Sequence, residues 1–96
     1  MNAPLLSESE LAEALTELPT WTRSGDTISR TVQAPTFLDG IELVRAVAEA
    51  AEAANHHPDI DIRWRKITFT LSTHDSGGLT ALDVGIARQI DKLAQY

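Results

Sequence analysis

The chain has 96 residues, 43% hydrophobic and 23% charged, with a formal net charge of -6 from eight basic and fourteen acidic side chains. That length makes a single domain, 1–96, and the composition excludes disorder. An acidic surface repels phosphate backbones, which argues against general nucleic-acid binding, and the absence of cysteine removes disulfides, thiolate zinc sites and cysteine nucleophiles. No apolar run approaches the ~20 residues needed to cross a bilayer. Met1-Asn2-Ala3-Pro4-Leu5-Leu6 lacks the basic region and long apolar stretch of a signal peptide. A soluble, cytoplasmic protein is expected.

Ser7 and Glu10 have the spacing of a capping box, and Leu11, Leu15 and Leu18 recur at helical spacing until Pro19. This predicts a first helix over 8–18. Trp21 opens a short strand, Ser24-Gly25-Asp26 is a turn signal, and Ile28, Val32 and Ala34 share one face of a second strand. Arg30 falls on that apolar face, near its edge, so 21–34 reads as a hairpin. Thr36 caps a second helix, with Asp39 in its first turn and a buried stripe of Phe37, Ile41, Val44, Val47 or Ala48, and Ala51. Pro58 disfavours helical geometry at His57, so this helix ends near His56.

Ile60, Ile62 and Trp64 alternate with Asp61, Arg63 and Arg65, and Ile67, Phe69, Leu71 and Thr73 continue with period two. The pattern predicts a second hairpin turning near Arg65-Lys66. Gly77-Gly78 breaks the chain. Thr80 and Asp83 repeat the cap-and-carboxylate pattern, opening a third helix to about Ala94 with Leu82, Ile86, Ile90 and Leu93 inward. The expected fold is α+β: a four-stranded antiparallel sheet with three helices on one face, in the order α-β-β-α-β-β-α.

His56, His57 and His74 are the chain's only histidines. Imidazole changes charge near neutral pH, so it can both give and take a proton there. His56 and His57 leave the second helix, and His74 leaves the fourth strand. If that helix lies across the sheet, all three rings converge on one cleft at the junction of rigid elements and loops.

Glu52-Ala-Ala-Asn-His56-His57-Pro58, the strand ending Leu71-Ser72-Thr73-His74, and Gly78-Leu79-Thr80 with Asp83 together resemble the pterin-4a-carbinolamine dehydratase family. The likeness is strongest over about 47–93. It implies loss of water from a 4a-hydroxytetrahydropterin to give a quinonoid dihydropterin, in support of tetrahydropterin recycling, with no metal or other cofactor. It also implies that His56 and His74 are the acid–base pair, with His57, Glu52, Thr73 and Asp83 binding or orienting the pterin. The resemblance further implies a homodimer or homotetramer. Glu52, one helical turn before His56, is also well explained as a solvated helix residue, and Asp83 as a capping carboxylate.

Several residues depart from the family pattern. Asn55 stands where aspartate is frequent, Trp64 where tyrosine is usual, and Val32, Ala34 and Val44 where phenylalanine is frequent. Two other readings compete with dehydration. Three imidazoles can bind zinc, although adjacent His56 and His57 are poorly placed to share one ion. A non-catalytic dimerisation or assembly module of the same fold is the alternative function. Arg63-Trp64-Arg65-Lys66 interleaves basic and aromatic residues, but a strand with one charged face explains it better than nucleic-acid binding.

Overall fold

Ser7 caps the first helix, α1 (Glu8–Thr16): its hydroxyl accepts the Glu10 N–H while the Glu10 carboxylate accepts the Ser7 N–H. The Ser7 backbone N–H, and after it the Ser7 hydroxyl beside the carboxylate, hold the Glu10 carboxyl below the usual carboxylate range. The computed structural model describes residues 3–96. The helix stops at Thr16, two residues short of the expectation. Leu18 lies beyond it and is fully buried, because Leu18 N–H bonds Leu15 C=O in a tightened last turn.

Strands β1 (Thr22–Ser24) and β2 (Thr27–Gln33) form the first hairpin, turning at Gly25, whose φ of 58° suits a residue without Cβ. Trp21 precedes β1 and is buried in the core. Its indole N–H donates to Asp91, which also receives Arg30 at 2.6 Å, so Arg30 does sit at the covered face and pins the hairpin to the last helix.

Thr36 caps α2 (Phe37–Ala54) by accepting the Asp39 N–H. Its buried stripe is Gly40, Leu43, Val47 and Ala51, which keeps Val47 and Ala51 of the expected stripe and corrects the rest. Phe37 and Ala48 are exposed, and Ile41 and Val44 are only half-buried. The reason is close approach. A Cβ at Gly40 would sit 3.2 Å from Ile67 Cδ1 and 3.5 Å from Ala34 Cβ, so the missing side chain sets which face meets the sheet.

Asn55 ends α2 in the left-handed region, at φ 49° and ψ 42°. Its N–H bonds Glu52 C=O, and the His56 N–H turns back to Ala51 C=O at 3.0 Å, the double closure of a Schellman motif. Asparagine tolerates this conformation better than other residues with a Cβ. We expect Asn55→Ala to cost about 1 kcal/mol and Asn55→Gly to be nearly neutral; urea unfolding of both variants measures it.

Strands β3 (Asp59–Arg63) and β4 (Lys66–Leu71) form the second hairpin. Its turn is at Trp64-Arg65, one residue earlier than expected. Trp64 is therefore not a strand residue: it is 71% exposed, has φ 51°, and lies under the Arg65 guanidinium, 4.6 Å from its ring centroid. The sheet order is β1-β2-β4-β3, antiparallel throughout. Ile28, Val32, Ile67, Phe69 and Leu71 face the helices, and Ser29, Thr31, Thr68 and Thr70 line the other face.

After β4 the chain passes through a 3-10 turn (His74–Ser76) into α3 (Ala81–Leu93). Strand β4 thus ends three residues before His74. The inward face of α3 is Asp83, Val84, Ile86, Ala87 and Ile90, whereas Leu82 and Leu93 are exposed, contrary to expectation. Rotation of the helix brings a carboxylate inward in place of Leu82. The order is α-β-β-α-β-β-α, as the sequence pattern predicts. Among the described residues, no helix is long and apolar enough to cross a membrane.

Candidate active site

Two chain junctions meet at one end of the sheet. The Schellman closure of α2 delivers Asn55, His56 and His57, and the exit of β4 delivers Ser72, Thr73, His74 and Asp75. These seven residues line a cleft of about 250 Å³. All three histidines therefore share one cavity, though in different environments. His56 is 9% exposed, His57 is about half exposed, and His74 is exposed.

His56 owes its orientation to a carboxylate 27 residues further along the chain. Its Nε2 lies 2.6 Å from Oδ1 of Asp83, which is 0% exposed. The other carboxylate oxygen, Oδ2, accepts the Thr73 hydroxyl at 2.8 Å and the Thr80 N–H at 2.9 Å. Thr73 has one hydroxyl proton, and Asp83 receives it. The 2.8 Å contact between the two threonine hydroxyls is therefore donated by Thr80, whose own oxygen accepts the Leu82 N–H. An ionised Asp83 accepts at both oxygens, and the hydrogen of the 2.6 Å contact then lies on His56 Nε2. The ring nitrogen left for a ligand is Nδ1.

The remaining expected residues sit differently. Asp83 does not line the cleft; it is fully buried, against His56. Thr73 forms part of the wall, but its hydroxyl proton is committed to Asp83. Glu52 lies outside the cleft lining, with its carboxylate 3.6 Å from His57 Nε2, longer than a direct hydrogen bond, and both groups face solvent. Pattern reading missed Thr80 as part of the site. Its signal was the Thr80–Asp83 capping box, because the carboxylate that closes the box is the one that holds His56.

Among the described residues, no group of three or more His, Cys, Asp or Glu side chains is arranged to hold a metal ion. A second, larger groove of about 540 Å³ runs between α2 and α3, lined by Ala50, Ala53, Ala54, Leu82, Gly85 and Gln89 among others, with no titratable side chain in its lining. Of the two, the smaller cleft is the one lined by titratable side chains.

A family model described as pterin 4 alpha carbinolamine dehydratase matches residues 4–93. A protein of Nocardia farcinica, provisionally named a pterin-4-alpha-carbinolamine dehydratase, is 65% identical over 95 residues, covering 99% of this chain and all of that one. A similarly named protein of Roseiflexus castenholzii is 55% identical over 91 residues, covering 95% and 98% of the two chains. The crystal structure of a transcriptional coactivator/pterin dehydratase from Brucella melitensis superposes with a TM-score of 0.91 at 31% identity, over 95% of this chain and 99% of that one. A pterin dehydratase-like RuBisCO assembly factor of the alpha-carboxysome shares the fold, with a TM-score of 0.63 at 17% identity over 77% and 86% of the chains.

Proposed function

Because the chain belongs to the pterin 4 alpha carbinolamine dehydratase family, we propose that it dehydrates a 4a-hydroxytetrahydropterin to the quinonoid dihydropterin by histidine acid–base catalysis. The observation that carries this reading is the convergence of three imidazoles on one cleft, one of them oriented by a buried carboxylate.

The reaction needs two proton transfers. The hydroxyl on C4a leaves as water once it has gained a proton. The adjacent ring nitrogen loses its N–H proton as its electron pair forms the C=N bond. The substrate thus loses H and OH, and the catalyst ends with one group deprotonated and another protonated. We assign the base to His56: its Nδ1 takes the ring proton, and Asp83 stabilises the imidazolium that forms. His74, at the exposed side of the cleft, is the acid that protonates the leaving hydroxyl. Solvent exchange then restores both groups. Each such group contributes typically 10²–10⁴-fold in rate. His57, with Glu52 beside it, binds and orients the pterin, and Thr73, Thr80 and Asp83 act through His56. The same proposal includes a role in tetrahydropterin recycling, a cytoplasmic location and assembly as a homodimer or homotetramer.

The test is turnover of freshly generated 4a-carbinolamine. We expect purified protein to exceed the spontaneous dehydration rate, and His57→Ala to raise KM with kcat within a few-fold of wild type. A folded protein that leaves the spontaneous rate unchanged is instead a non-catalytic dimerisation or assembly module, a reading favoured by the apolar groove between α2 and α3.

A further inference from the structure

His74 sits in a loop closed on itself. Thr73 N–H bonds Gly78 C=O at 2.9 Å and Gly78 N–H returns to Thr73 C=O at 3.3 Å. Within the loop, Ser76 N–H bonds Thr73 C=O and Gly77 N–H bonds His74 C=O, both at 3.0 Å. These bonds set the loop's shape but not its placement over the cleft, since all of them move with it.

A distant stretch of chain supplies contacts from outside. Leu5 forms an antiparallel bridge with Thr80, and Leu6 N–H bonds Leu79 C=O at 3.0 Å. The Ser76 hydroxyl donates to Ala3 C=O. Leu5 also lies against the loop's last residue: a Cβ at Gly78 would come within 3.1 Å of Leu5 Cδ2. The segment is itself anchored, because Leu6 packs on the core and Ser7 caps α1. Its bonds to Leu79 and Thr80 sit at the end of the loop and at the first residue of the His56–Asp83 network.

We propose that Ala3–Leu6 is a strap that positions the His74 loop over the cleft, with Ser76 as its clasp. Ser76 does not line the cleft. It acts through His74, as a positioning residue, and this catalytic consequence rests on the dehydratase reading. Without the clasp, the loop samples placements in which His74 does not reach the leaving hydroxyl. The fraction of productive enzyme falls, and with it kcat.

One hydrogen bond contributes roughly a three- to tenfold bias. We expect Ser76→Ala to lower kcat by about that factor with KM within about twofold, and Ser76→Thr, which keeps the hydroxyl, to restore it. Leu5→Gly, which removes the contact with Gly78, should act in the same direction. Amide hydrogen exchange gives a readout independent of chemistry. Exchange at Gly77 and Gly78 should quicken in Ser76→Ala while the β4 amides of Ile67 and Phe69 keep their protection. Unchanged exchange at Gly77 and Gly78 in both variants overturns the strap. So does unchanged kcat in an active enzyme. If wild-type protein has no turnover, the functional reading fails by itself, and exchange alone decides for or against the strap.

Discussion

Replacing His74 with alanine lowers kcat by about 10²-fold or more and leaves stability close to wild type. The two halves of this expectation have one cause. His74 is exposed on a loop outside the core, so its side chain holds no packing together, yet it lines the cleft. His56→Ala should match it in kcat but not in stability. That ring is buried against Asp83, so truncation strands a carboxylate oxygen without its donor, at a cost of about 1–3 kcal/mol. Steady-state kinetics on fresh carbinolamine, beside urea unfolding of the same preparations, separates the cases. If His74→Ala keeps wild-type kcat, His74 is not the acid. If both variants lose activity only in proportion to lost folded protein, neither ring performs proton transfer.

Much of the fold was legible because its punctuation is chemical. The Ser7–Glu10 and Thr80–Asp83 boxes, Gly25 and Pro58 each impose a local geometry whatever surrounds them, and each element begins or ends where they imply. The helix faces were less legible. In α2 Val47 and Ala51 are buried as expected, but Gly40 meets the sheet and Phe37 points to solvent. A glycine placed for close approach carries no hydrophobic signal, so counting apolar side chains misplaces part of the stripe. Trp64 misled for a related reason: an aromatic residue at positive φ has no sequence signature, and alternation placed it in the strand. For the site, the three histidines could be grouped by their junctions. From its spacing Asp83 was visible as a capping carboxylate, and the family resemblance alone put it among the site residues. Its second oxygen reaches a ring 27 positions earlier, a contact that only the packing of α3 beside the end of α2 creates.

Asp83→Asn isolates that contact, and we expect it to lower kcat by about 10²-fold or more with the fold retained. The amide is nearly the size of the carboxylate, and its oxygen must stay where Oδ2 is, because two donors, the Thr73 hydroxyl and the Thr80 N–H, aim there. The capping box therefore survives. The amide NH₂ then occupies the place of Oδ1 and points a donor at His56 Nε2. Two donors cannot share a hydrogen bond, so the neutral ring moves its proton to Nδ1 and accepts at Nε2. The atom left for the ligand becomes an N–H where it was a lone pair, and the proposed base can no longer take a proton. The rearrangement should cost no more than about 1–3 kcal/mol of stability, whereas the tautomer change removes the chemistry. Nitrogen-15 spectra of the ring report it directly: His56 Nε2 should shift from protonated to unprotonated character and Nδ1 the opposite way. A variant with inverted ring shifts and wild-type kcat would show that His56 is not the base. One with unchanged shifts and unchanged kcat would reduce Asp83 to the cap of α3.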